Sequence, residues 1–236
     1  ATAAALTEAG IPEKYWDDTP SVLVDGPSRP QLLTEMAQDF QADLILLGPN
    51  QAAPKGRFFP SSTADTLLHY SPQSLGLIPR KAKLSKHGVT RFNFVITERG
   101  DRADRELLGA AALADRWDLP LRILAFSAND LLNSPSKDKS DIALKLTAEW
   151  HEDSLAMLDR ARDRIQDAYP ELEVSSEIGS GAGWSGAVDS LKWKKGDLML
   201  MASAPQGPIA RVFLGSNATE LLPHIRVPVL IHPATD

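Results

Sequence analysis

Asp197-Leu198-Met199-Leu200-Met201-Ala202 is an acidic residue followed by an apolar run, and Asp43-Leu44-Ile45-Leu46-Leu47-Gly48 has the same form. Downstream, Ser61-Ser62-Thr63-Ala64-Asp65-Thr66-Leu67-Leu68 returns as Gly215-Ser216-Asn217-Ala218-Thr219-Glu220-Leu221-Leu222. Ser74-Leu75-Gly76-Leu77-Ile78-Pro79 returns as Pro228-Val229-Leu230-Ile231-His232-Pro233. All three pairs lie 154 positions apart, the interval from Asp43 to Asp197. A fixed interval of this kind marks two copies of one αβ unit. The second copy opens near Phe92, and its counterpart would precede Ala1, so the first copy is expected to lack its opening third.

Periodicity assigns elements around these anchors. Leu44–Leu47 is a continuous apolar run of the kind expected for a strand buried on both faces of a parallel sheet. Before it, Ser21–Val24 reads as a short strand ending at Asp25-Gly26-Pro27, and apolar residues at 32, 33, 36, 37 and 40 give helical spacing. Phe92–Ile96 and Leu121–Phe126 are strands, with a helix over Arg102–Trp117 between them. A long helix spans Ile142–Ala168, a strand Leu172–Val174, a glycine-rich turn Gly179–Gly183 and a short helix Gly186–Trp193. Leu198–Met201 and Val229–Ile231 complete the second unit. Strands alternating with helices imply an α/β fold, here two repeats of an open, mostly parallel twisted sheet with helices on both faces. The expected division is an incomplete first domain at 1–80, a linker at 81–90 and a complete second domain at 91–236.

Composition narrows the chemistry. An apolar content of 43% supports a packed core, and a net charge of -6 argues against a dominant nucleic-acid footprint. With 0 cysteines, disulfides, thiolate nucleophiles and Cys-ligated metals are excluded, which fits a cytoplasmic location. No stretch approaches the roughly 18–20 apolar residues of a membrane span, and Ala1–Leu6 lacks the basic start of a signal peptide. The histidines His69, His87, His151, His224 and His232 form no local metal motif. His69 and His224 sit at helix ends, where a cation favours the dipole. No G-x-S-x-G elbow is present, and Ser216 has no evident general base.

Ligands of such sheets gather at the carboxyl ends of the strands, which puts Thr97, Ser127, Gly179 and Ser203 at the mouth. The small-residue loop Ala202-Ser203-Ala204-Pro205-Gln206-Gly207-Pro208 leads to Gly215-Ser216-Asn217, where a helix should begin. Two readings stand. Converging backbone amides there can hold a phosphate, with the Ser216 hydroxyl as a further donor. Alternatively Ser216 only caps the helix, and Pro205 and Pro208 offer no N–H.

The stretches Asp197–Pro233 and Asp43–Pro79 resemble the C-terminal signature of the universal stress protein family: an aspartate–aliphatic strand, a glycine loop, a helix and a closing strand. Phe92–Ile96 and Ala110–Trp117 resemble its opening. The chain is similar to a tandem member with a degenerate nucleotide motif and a Rossmann-like, adenine nucleotide alpha hydrolase-like fold. By this resemblance the cofactor is ATP or another adenine nucleotide, or none. Thr97, beside Glu98, takes the position of the aspartate that meets the base. Ser203, Gly207, Gly215, Ser216 and Asn217 fall where ribose and phosphates are held, but Ala202 and Pro205 replace the first two loop glycines. The resemblance implies a regulatory or ligand-sensing role. The alternatives are a slow nucleotide hydrolase and a non-binding structural or protein-interaction module. It also implies that Leu75–Ile78 pairs with Val229–Ile231 within the chain, joining the two domains, with a homo-oligomer as a further expectation.

Overall fold

A computed structural model describes residues 2–19, 21–96, 101–127, 141–203 and 216–233. The strands are β1 (Leu44–Leu47), β2 (Ser74–Leu77), β3 (Arg91–Val95), β4 (Leu121–Ser127), β5 (Val174–Ser180), β6 (Asp197–Ala202) and β7 (Val229–His232). The helices are α1 (Thr2–Glu8), α2 (Arg29–Asp39), α3 (Ser62–Tyr70), α4 (Asp101–Arg116), α5 (Asp141–Ala168), α6 (Gly183–Asp189) and α7 (Ser216–Leu221).

The strands form one continuous sheet of 7 strands in the order β1-β2-β7-β6-β3-β4-β5. Every neighbouring pair is parallel except β2 and β7, which run antiparallel with Leu75 opposite Ile231 and Leu77 opposite Val229. The expected contact between these two strands is therefore made. The tandem architecture and the fold of two separate repeats are not: the structure has a single mixed sheet with helices on both faces. The repeat at 154 positions marks two strand–helix–strand units, β1-α3-β2 and β6-α7-β7, inside that sheet. Similar units do not make separate domains when their strand edges bond to each other and close over a common core.

That common core lies on one face. Ala37 of α2, Leu67 and Leu68 of α3, Val188 of α6 and Leu221 of α7 pack with Leu75, Leu77, Met199, Met201, Val229 and Ile231. Phe58, fully buried in the loop after β1, joins the same cluster. On the opposite face α4 and α5 cover β3, β4 and β5 through Leu107, Ala111, Leu158 and Ile165. The buried positions Leu107, Ala110, Ala111 and Ala114 give α4 a single inward stripe at helical spacing.

This second helical layer stops short of the other sheet edge. Register places Phe94, Leu200, Leu230, Gly76 and Leu46 side by side in one row across β3, β6, β7, β2 and β1. Directly opposed residues share a face. The row is buried at Phe94 and ends at Leu46, which is 66% exposed. The reading of β1 as buried on both faces is thus corrected: its burial alternates, with Leu44 and Leu46 exposed and Ile45 and Leu47 inside.

Two other expectations change. Val22–Val24 forms no strand, and Leu23 is 100% exposed. The strand expected at Leu172–Val174 begins at Val174 and runs on to Ser180, so the glycine-rich turn gives up Gly179 and Ser180 to the strand and Gly183 to α6. A Cβ on Gly179 would lie 2.6 Å from the Ala187 carbonyl oxygen and from the Phe126 ring. Glycine is required there for α6 to close on β5, rather than for a turn.

Three sets of charged contacts tie the elements together. Beneath α6, at the amino ends of the strands, Asp197 accepts two 2.8 Å hydrogen bonds from Arg91, and the fully buried Arg122 reaches Asn93 at 2.7 Å and Glu177 at 3.2 Å. Burial and the neighbouring Arg91 lower the Arg122 pKa, against Glu177 and Asp197, and its guanidinium rests 5.0 Å from the Trp193 ring centre. Trp193 thus supplies a packed aromatic floor to the cluster. Arg226 pairs with Asp189 through both oxygens, at 2.5 and 2.6 Å, and Arg57 reaches the same carboxylate at 3.3 Å. On the outer helices, Arg164 of α5 pairs with Asp104 of α4.

Candidate functional site

The carboxyl ends of β3, β6 and β7 open into a cleft of about 510 Å³ bounded by α4. One wall is a stripe of α4 formed by Arg105, Gly109 and Leu113, four residues apart, with Glu106 and Ala110 beside it. The floor is the inner part of the row described above, Phe94, Leu200 and Leu230. At the mouth lie Ala202, Ser203, His232 and Pro233. The cleft therefore has an apolar depth and a polar rim, the usual composition of a small-molecule site.

The rim groups differ in availability. Ser203 is only 2% exposed and already has an interaction partner, as does Glu106. His232 Nδ1 lies 2.8 Å from the Ser74 hydroxyl, so the antiparallel neighbour strand orients its ring. Arg105 is exposed and has no hydrogen bond or ion pair among the described residues. Gly109 sits within α4, and a Cβ added to it would meet nothing within 4 Å.

Of the residues singled out from the sequence, Ser203 lies in this cleft. Asn217 is exposed on α7, and Ser216 is the first residue of that six-residue helix. Thr97, Glu98, Gly207 and Gly215, with the prolines of the loop, lie outside the described residues. Ser127 ends β4, buried and away from the cleft lining. Trp184 packs against the common core and donates from Nε1 to Glu220 at 2.9 Å.

The helix-end reading of His224 also changes. Burial, then the adjacent Arg57, hold its pKa below the ordinary histidine value despite Asp189. Arg57 supplies the cation instead, donating from Nη1 to the His224 carbonyl. Arg105, Gly109 and His232 were missed as site residues; a glycine inside an otherwise regular helical pattern was the one signal that could have drawn notice. Among the described residues, no group of three or more His, Asp or Glu is placed to hold a metal ion. No helix among them is long and apolar enough to cross a membrane.

Comparison with known proteins gives a consistent result. The model of the Universal stress protein family matches residues 95–233. A universal stress protein of Mycobacterium tuberculosis (strain H37Rv) is 26% identical over 201 residues, covering 85% of this chain and 68% of its own. A Pseudomonas aeruginosa structure aligns with a TM-score of 0.54 at 14% identity, over 99% of this chain and 79% of that one. A universal stress protein from Archaeoglobus fulgidus aligns with a TM-score of 0.53 at 17% identity, over 85% of this chain. The chain spans 66% of that protein's length. At these identities the two structures speak to fold alone.

Proposed function

Since the chain belongs to the universal stress protein family, matched over residues 95–233, we propose that it is a regulatory, ligand-sensing protein that binds an adenine nucleotide without turning it over. The observation that supports this reading is the cleft at the ends of β3, β6 and β7, with the buried Ser203 on its rim where β6 gives way to the loop toward Ser216. In this reading Thr97 or Glu98 faces the base. Ser203, Gly207, Gly215, Ser216 and Asn217 face ribose and phosphates. Pro205 contributes no amide, so binding is expected to be weak, with a Kd on the order of micromolar or above.

Calorimetric titration with ATP, ADP and AMP, with and without magnesium, tests the proposal when paired with a phosphate-release assay. Saturable binding that Ser216→Ala weakens, with no phosphate released, is the expected result. Phosphate release abolished by Ser216→Ala would make the protein a slow hydrolase. Absence of binding to all three nucleotides would leave an interaction module.

A further inference from the structure

The apolar depth of the cleft, Phe94, Leu113, Leu200 and Leu230, is assigned no contact in the nucleotide reading. We propose that it binds the chain of an unbranched aliphatic carboxylate, with the carboxylate at Arg105 and the hydrocarbon lying between α4 and the strand row. The inference rests on the sensing reading of this cleft, though not on the nucleotide.

Three observations carry it. The first is shape: Arg105 and Leu113 mark the two ends of the α4 wall, eight positions apart, or about 12 Å of helix. A medium-length acyl chain matches that depth, and about 510 Å³ falls in the range of ordinary small-molecule sites. The second is Gly109. An interior helical glycine costs about 1 kcal/mol relative to alanine. Close packing does not require it here, because nothing stands within 4 Å of its would-be Cβ. The missing side chain does keep the middle of the wall open. The third is charge. Arg105 has no partner among the described residues, whereas the nearby Glu106 is already engaged. An anion is therefore favoured at the rim, beside a His232 oriented by Ser74. The floor of Phe94, Leu200 and Leu230 offers no polar side chain to a hydrocarbon.

Titration of the purified protein with decanoate, followed by calorimetry and by NMR line-broadening of the ligand, tests this directly. Saturable binding is expected. Gly109→Leu fills the wall and should weaken decanoate at least tenfold while circular dichroism and thermal midpoint show an intact fold. Arg105→Gln should weaken decanoate but leave decanol binding unchanged. Nucleotide affinity should survive Gly109→Leu, which separates the two proposals. No binding of decanoate to the wild-type chain, or equal binding to the Gly109→Leu variant, would overturn the inference whether or not nucleotides bind.

Discussion

Asp197 is a fully buried carboxylate held by one arginine through both oxygens and approached by a second at 3.8 Å. Its backbone neighbour Lys194 also donates to it, at 2.7 Å. Removing one member of a buried charge network costs more than the network itself contributes, because the survivors keep their desolvation penalty. Asp197→Ala strands Arg91 and Arg122 together, and is expected to cost about 3–5 kcal/mol. Arg122→Met leaves Asp197 with Arg91 and the Lys194 amide, and should cost distinctly less. Urea denaturation of the two variants measures the difference; equal losses would show that Asp197 is not the dominant anchor of the cluster. The more exposed Asp189 offers a pH test. Burial raises its pKa, but the hydrogen bonds and charges of Arg226 and Arg57 outweigh burial and hold it below the usual aspartate value. A depressed carboxylate stabilises the fold above the unfolded pKa of about 3.9, and that stability is lost as pH falls through the folded value. His224, held low by burial, adds a loss that begins as pH falls below about 6.5, where the unfolded chain takes up the proton first. Asp189→Asn should flatten only the acid limb near pH 4, and His224→Gln only the limb near pH 6. Thermal midpoints measured across both ranges separate the two contributions.

Among the elements, α4 carries both core packing and the cleft wall, and Gly109 lies on the latter side. Gly109→Ala adds a helix-favouring residue in open space, so it should raise stability by about 1 kcal/mol, read as an increased thermal midpoint. A loss of stability would mean that the helix backbone is distorted at this point. The same element shows why some structure was legible and some was not. β3, β4 and β6 are inner strands with neighbours on both sides and helices over both faces, so each is mainly apolar, broken inside β3 by Asn93 and inside β4 by Arg122, and sequence alone reveals it. β5 is an edge strand of mixed burial, and its Val-Ser-Ser-Glu-Ile-Gly-Ser sequence has no such run. Val22–Val24 has the right composition, yet composition does not supply a partner strand. The cleft was harder still. Arg105, Leu200 and His232 are distant in sequence and meet only because α4 lies over the strand row, whereas the loop at Ser203 announced itself by small residues in an unbroken stretch.

At the scale of the molecule, the consequence of a single sheet is that its halves share their stability. β2 and β7 meet at the centre of one core cluster, where Leu75, Leu77, Val229 and Ile231 are at most 1% exposed. Arg57, from the loop after β1, is tied to α6 by Ser185 and Asp189 and to the turn before β7 by the His224 carbonyl. Separate domains would contribute separate cores and unfold in separate steps; a common core makes unfolding all-or-none. Urea unfolding should therefore give one transition, superimposable by far-ultraviolet circular dichroism and by tryptophan fluorescence. Leu77→Ala on one side of the joint and Ile231→Ala on the other should each lower that same midpoint, with a loss of about 2–5 kcal/mol for a large side chain removed from a core. Two resolved transitions, with Leu77→Ala moving one and Ile231→Ala the other, would mean that the continuous hydrogen-bonded sheet conceals two independent cores.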